Sequence, residues 1–448
     1  MKLRYLVLFF LPLVFFSQEK WDFKKCIEYA LENNISIKQA EVNSKIQEQV
    51  VKANTGTFLP NLSGSVGQNY TISKGFSNPT LGTYSSGNSS NFSVGFSSNW
   101  TIFNGFQNLN TYKKGKIDQE YTDTNLEVLK NDVSLNVVNA YLQLLFAKEQ
   151  ENVSKNSLEL NQLQYGRVNT LFKHGSEAKA SVYEAEANVA RAEQTLVQAK
   201  NTVRSSKLNL TQLLQLPFES SFDIQNISVD PLINELVLQT PEEIYKEALD
   251  VRPEIKYAGL AIQSADKDIA IAKGAYLPSL NLGYNWGDNY YNVYGQHDPN
   301  FTDQLEDNYQ HQFSLSLSVP LFNRWATKTA VQRAKLSKEN QELNLENTKF
   351  ALRQNIETSY IDALNAEETY AAAKKSVKST KIALEYAEKR FKIGTANNYD
   401  FEQAKNNYIA AQVDLINAKY DYVFKIKVME FYAGKPFVDI ESGSAYDK

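Results

Sequence analysis

The sequence predicts an α+β membrane protein: a duplicated unit of long coiled-coil helices plus four β-strands per chain, with three chains sharing a 12-stranded β-barrel. Three observations carry this expectation. Short motifs recur at a constant offset, proline-free stretches keep a seven-residue apolar beat, and four short segments alternate apolar with small polar residues.

The first residues read as an export signal over 1–17. Lys2 and Arg4 precede an apolar run from Leu6 to Phe16, too short to span a bilayer. No later stretch offers eighteen consecutive apolar residues, so the mature chain can enter a membrane only as a barrel. Composition narrows the function further. Of 448 residues, 42% are apolar and 22% charged, enough for a large core. Lys plus Arg number 47 against 51 Asp plus Glu with no basic concentration, which argues against a nucleic-acid partner. One cysteine, Cys26, excludes an internal disulfide and every multi-cysteine metal site.

The duplication fixes the organisation. Leu59-Pro60 matches Leu277-Pro278, and Phe103-Asn104 matches Phe322-Asn323. The register then holds at 219 residues for Phe172-Lys173-His174-Gly175 with Phe391-Lys392-Ile393-Gly394, and for Ala199-Lys200 with Ala418-Lys419. This divides the mature chain into a first repeat over 18–218, a linker over 219–240, a second repeat over 241–437 and a tail over 438–448.

In each repeat the Leu-Pro pair opens the β segments. Leu62, Val66, Tyr70 and Ile72 alternate with small polar residues, as do Phe92, Val94, Phe96 and Trp100. The second repeat does likewise with Leu280, Leu282, Tyr284 and Trp286, then Phe313, Leu315, Leu317 and Val319. At about ten to thirteen residues, with uncharged polar partners, these are membrane-type strands; the plainer alternative is a half-buried sheet in a soluble domain. The segments between paired strands, 73–90 and 287–310, are rich in Gly, Ser, Asn and Asp and read as surface loops. Long helices follow. No proline falls from Thr80 to Leu216 or from Leu321 to Lys435, and neither Gly nor Pro lies between Trp325 and Ile393, a stretch that could run on the order of 100 Å as helix. Ile356, Ala363, Tyr370, Val377, Leu384 and Phe391 hold the heptad beat. Alanine rows, Ala178, Ala185, Ala192 and Ala199 in one repeat and Ala404, Ala411 and Ala418 in the other, are expected where helices approach closely. Gly175 and Gly394 interrupt the pattern at equivalent points and read as the turns of two helical hairpins.

Four strands cannot close a barrel, and open edges in hydrocarbon leave backbone groups unpaired at several kcal/mol each. Several chains must therefore share one barrel. Eight strands enclose only side chains, so three copies giving twelve strands suffice for a pore.

The duplicated layout, the two Leu-Pro strand starts and the hairpin tips resemble the TolC-like outer membrane efflux proteins. Arg390-Phe391-Lys392-Ile393-Gly394-Thr395, followed by Asp400, Ala404 and Leu415, is similar to the family's second tip, and Leu171-Phe172-Lys173-His174-Gly175 to its first. The resemblance implies a homotrimer in the outer membrane with its helical part forming an α-helical tunnel through the periplasm. It implies outer-membrane lipid around the barrel, and a periplasmic adaptor (membrane fusion) protein with an inner-membrane pump docked at tips built from Phe172, Gly175, Phe391 and Gly394. In the family's best-known member, aspartates six after each tip glycine and nine after the second form an acidic periplasmic aperture. Here those positions are Ser181, Asp400 and Gln403, and Glu184, nine after Gly175, is a candidate second carboxylate. The family's arginine two after the second glycine is Ala396 here, so no arginine latch of that kind is expected.

The residues leave plainer readings open. Asp400 and Glu184 could lie on solvated helix faces, and Phe172 and Phe391 could tuck into their own hairpin seams, since both continue heptad rows. Asp288, Asp298, Asp303, Glu306 and Asp307 share one strand-linking segment, but their spacing matches no calcium loop and a solvated acidic loop is the better reading. No phosphate loop, HExxH or Ser/His/Asp set is visible, and neither an enzyme activity nor a cofactor is expected. A periplasmic coiled-coil structural protein and a passive porin are the alternative functions.

Overall fold

The computed structural model describes residues 20–78, 83–217, 222–225, 240–293, 300–393, 395 and 398–434. The export signal, the C-terminal tail, most of the linker, Asp298, and Gly394 and Ala396 of the second tip lie outside the described residues.

Each repeat opens with two helices of matching length. α1 (Phe23–Asn33) and α2 (Ile35–Gly56) have 11 and 22 residues, as do α5 (Pro241–Val251) and α6 (Pro253–Gly274). The first pair breaks at Asn34, whose side-chain oxygen accepts the Ser36 N–H at 2.9 Å and so caps α2. The second pair breaks at Arg252, which Pro253 holds in extended backbone. Asp22 caps α1 through the Lys25 N–H at 2.7 Å, and Thr240 and Glu243 form a reciprocal capping box on α5.

The four strands, β1 (Ser63–Asn78), β2 (Thr83–Asn104), β3 (Ser279–Val293) and β4 (Gln310–Ser318), form one antiparallel sheet in sequence order. Its register sorts the side chains as the alternation requires. Trp100, Leu282 and Leu315 share one cross-strand row and Tyr284 and Phe313 the next, while Thr101, Asn281 and Ser316 share a row on the opposite face. Leu62, Val66, Ile72, Phe313, Leu315 and Leu317 are exposed. β1 and β4 are the edges of this sheet, and neither has a second strand neighbour among the described residues.

Two expected surface loops are instead largely structured. β1 continues to Asn78 and β2 resumes at Thr83, so most of 73–90 is hairpin. The ladder is made of main-chain groups and does not need apolar side chains to continue. In the other segment β3 runs to Val293 and a short helix, α7 (Phe301–Asp307), precedes β4. Pairing of β4 with β3 ends at Gly287, and α7 covers the remaining β3 edge with side chains. Gln304 accepts the Tyr291 N–H at 2.9 Å and donates to the Tyr291 carbonyl at 3.0 Å, and Asn308 donates to the Asn289 carbonyl at 2.8 Å. A sheet edge that no strand pairs is thereby satisfied. Asp288 is not in a solvated loop; it lies in β3 and is buried.

The long helices repeat residue for residue. α3 (Gln107–Lys173) and α8 (Ala326–Lys392) each have 67 residues, and α4 (Lys179–Leu213) and α9 (Asn398–Tyr432) each have 35. The strand-to-helix turns repeat as well: Gly105-Phe106 and Arg324-Trp325 are consecutive left-handed pairs at equivalent positions.

The chain divides into two compact units. One is built from the described residues of 20–40, 125–255 and 348–434; the other comprises Glu41–Thr124 and Lys256–Asn347 and holds the sheet. The core of the first unit gathers Phe23, Cys26, Ile27 and Ile37 against Val137, Tyr141, Leu144, Leu210 and Leu214. Burial pushes the Cys26 thiol up to about 12, so it packs as a small apolar group. Part of the linker belongs to this core. Ile224 is buried, the Trp21 N–H donates to the Asp223 carbonyl at 3.0 Å, and the Tyr141 hydroxyl donates to the Gln225 carbonyl at 2.9 Å. Ala185, Ala192, Ala199, Ala411 and Ala418 are buried as the close-approach rows require, but Ala178, just before α4 begins, is exposed and Ala404 is only half-buried.

The duplication also predicts a strained residue. At the end of α4, Gln215 is left-handed (φ 58°) and its N–H donates to the Gln212 carbonyl, while 219 residues later Gly434 takes φ 79° and its N–H donates to the Phe431 carbonyl. Gln215→Gly should relieve roughly 0.5–1 kcal/mol of net strain and raise the thermal midpoint of the purified protein by a few degrees. Gly434→Ala should lower it, because its Cβ would also lie 3.0 Å from Val251 Cγ1. Unfolding followed by circular dichroism checks both signs.

Candidate functional site: the hairpin tips

The tips are set by how the long helices stop. At the first, Gly175 takes φ 75°, its N–H donates to the Phe172 carbonyl at 2.9 Å, and the Ser176 N–H donates to the Leu171 carbonyl at 2.9 Å. These two bonds are the signature of a helix closed by a left-handed glycine. At the second tip the Thr395 N–H donates to the Arg390 carbonyl at 2.9 Å, the bond equivalent to that of Ser176. The last turn of α8 carries Lys389, Arg390 and Lys392, where cations suit the carbonyl end of the helix.

The two tip phenylalanines occupy different surroundings. Phe391 is 9% exposed, and its ring stacks on Phe401 of α9 at 5.4 Å with an interplanar angle of 11°. The guanidinium of Arg167 in α3 lies 4.9 Å from the Phe391 centroid, so this ring joins its own hairpin seam to the first hairpin. Phe172, its equivalent, remains exposed.

A buried polar cluster lies beside this stack. Lys405 Nζ, on a side chain only 3% exposed, is 2.6 Å from Glu402 Oε2 one turn earlier on α9. Lys405 donates to Asn161 Oδ1 of α3 at 2.8 Å, and Asn188 Nδ2 of α4 donates to Glu402 Oε2 at 3.3 Å. Each helix of the first hairpin thus supplies one amide to an ion pair carried by the second. Sequence reading misses the cluster because Glu402 and Lys405 resemble an ordinary surface pair at i, i+3. The one available signal is that Lys405 lies a turn after Phe401, on the heptad stripe.

The expected aperture residues fall in two places. Asp400 and Gln403 are exposed on the first turns of α9 and line a cavity of about 250 Å³ with Thr380, Ala383, Tyr399, Ala404 and Asn407. Gln403 Nε2 donates to Asn407 Oδ1 at 3.0 Å. Ser181 is half-buried and Glu184 exposed on the first turns of α4, and neither lines that cavity. Asp400 is also the acidic residue in the first turn of its helix, a position the helix dipole favours by itself. Among the described residues no group of three metal-ligating side chains converges, and no helix is long and apolar enough to cross a membrane.

Four membrane-length strands, apolar over one face and open at both edges, joined in each repeat to a 67-residue helix, define a subunit of an outer-membrane channel-tunnel. The chain belongs to the outer membrane efflux protein family, whose model matches residues 26–215 and 244–425. It is 21% identical over 395 residues to the outer membrane efflux protein BepC of Brucella suis, covering 88% of this chain and 81% of that one. It is 20% identical over 330 residues to the alkaline protease secretion protein AprF of Pseudomonas aeruginosa, covering 73% and 67%. In fold it matches the solved structure of CusC with a TM-score of 0.80 over 92% of both chains at 15% identity. The protein is an outer-membrane channel of the efflux and secretion class, with its helical part in the periplasm.

The buried ion pair makes a stability prediction. Lys405→Met removes the cation that neutralises the buried Glu402 carboxylate, leaving it the Asn188 amide without a counter-charge, and should cost about 3–5 kcal/mol, whereas adding Glu402→Leu should restore most of it. Denaturant midpoints of the two variants check this.

Proposed function

We propose that three copies of the chain close one twelve-stranded barrel by pairing β4 of each with β1 of the next. The resulting tunnel carries cargo from a periplasmic adaptor and inner-membrane pump to the exterior. The observation that carries this reading is the sheet open at both edges: in hydrocarbon neither edge is tolerable unless another chain pairs it. The adaptor would engage the turns around Gly175 and Gly394, and Asp400, with Glu184, would place carboxylates at the periplasmic mouth and concentrate cations there. The likeness to AprF supports protein secretion as a second cargo class, beside the efflux that the likeness to BepC supports.

Two variants test the assembly and the docking separately. Leu315→Pro removes a ladder hydrogen bond from the β4 edge strand and should abolish trimer formation and outer-membrane insertion. Gly175→Val with Gly394→Val forces β-branched residues into the turns and should abolish efflux while leaving trimer yield in the outer membrane unchanged. Trimer yield and drug or protein export are measured in the same cells; normal export from the double glycine variant removes the tips as the docking point.

A further inference from the structure

The duplication lets one seam of the structure be compared with its counterpart. On the first hairpin, the groove formed by Asn161, Gln164, Ala185 and Asn188 is filled: Asn161, Gln164 and Ala185 are buried, and Lys405 and Glu402 of α9 hydrogen-bond to the two asparagines. The residues 219 positions later are Thr380, Ala383, Ala404 and Asn407, and all four line the 250 Å³ cavity on the second hairpin. There Ala383 and Asn407 are exposed and Ala404 is only half-buried. The same groove is therefore occupied in one repeat and open in the other. The occupants of the first, Glu402 and Lys405, have Tyr183 and Glu186 as their equivalents in α4. Tyr183 is 58% exposed and Glu186 is exposed; Lys179 of the same helix lies 5.5 Å from the Tyr183 centroid, and among the described residues no other helix buries either side chain.

We propose that the open groove of the second hairpin receives Tyr183 and Glu186 of a second copy of the chain. This rests on the trimeric reading above and names the contact that would repeat around the ring at the level of the tips. The sizes are complementary. Where the incoming residue grows from Glu402 to Tyr183, the lining side chains shrink from Gln164 to Ala383 and from Asn161 to Thr380, which widens the groove. The amide that grips the occupant is present in both: Asn188 donates to Glu402, and Asn407, whose Oδ1 already accepts from Gln403, lines the cavity and carries an Nδ2 donor suited to the incoming phenol oxygen. The contact is heterologous, groove on one copy and ridge on the next, so it propagates in one direction, and the one-third turn per copy that a shared twelve-stranded barrel imposes closes it as a ring. First-to-second contacts within chains then alternate with second-to-first contacts between chains.

Cross-linking tests this in the full-length protein with the buried Cys26 replaced by Ala. The pair Tyr183→Cys and Asn407→Cys, treated with a short bismaleimide in outer membranes and then fully denatured, should run at the mass of three linked chains, while either cysteine alone should run as one chain. Native mass measurement of the untreated protein is made in parallel. A native trimer whose denatured chains stay unlinked overturns the assigned seam and leaves the trimeric reading standing. Linkage by Tyr183→Cys alone would also overturn it, by placing copies of one ridge against each other. A native monomer overturns the trimeric reading, and the seam with it.

Discussion

An unpaired β-edge in hydrocarbon is the constraint on which the rest of this molecule depends. Each backbone group left without a partner there costs several kcal/mol, and a four-stranded sheet has two such edges. The chain meets part of this demand internally. Where β3 outruns β4, the side chains of Gln304 in α7 and of Asn308, its C-cap, pair main-chain groups that a further strand would otherwise have paired. Among the described residues no side chain substitutes along the rest of β1 and β4, and in the proposed assembly the demand passes to another copy. The apolar face needs no water-excluding layer from the chain itself, since lipid supplies it, which is why Leu62, Val66, Phe313 and Leu315 are exposed in a protein with an ample core elsewhere.

The second organising fact is that the duplication survives in geometry more faithfully than in sequence. α3 and α8 agree in length, α4 and α9 agree, and the left-handed pairs at Gly105-Phe106 and Arg324-Trp325 fall at the same point. Of these four turn residues only Gly105 is a glycine, so the turn is imposed by the strand-to-helix connection rather than by residue preference. Where the two repeats differ chemically, they differ at surfaces that meet unlike partners. Phe391 is enclosed by Phe401 and Arg167, while Phe172 has no equivalent enclosure and stays exposed.

Much of this was legible in the sequence because it is periodic. Two-residue alternation located all four strands, heptads located both hairpins, and Gly175 marked a turn whose left-handed backbone needs it. The strand ends were not legible: 73–90 looks like a loop by composition, and a ladder of main-chain bonds ignores composition. Nor was Gln215, where context holds a non-glycine residue in a glycine's conformation. The Asn161, Asn188, Glu402 and Lys405 cluster was invisible for a different reason. Its members lie on three helices, and whether a charge is solvated or buried is settled by what packs over it, which no local window contains.

The electrostatics at the tips follow from the same asymmetry. Equivalent first turns carry Ser181 and Glu184 in one hairpin, Asp400 and Gln403 in the other, so each hairpin contributes one carboxylate but at a different height along its helix. In a ring of three chains these carboxylates would alternate in two staggered sets rather than form one level circle. In the proposed trimer such staggering would separate like charges that a level ring would crowd together. The exposure of both Glu184 and Asp400 is consistent with that arrangement. The charge that is buried nearby, Glu402, is the one provided with a lysine and an amide.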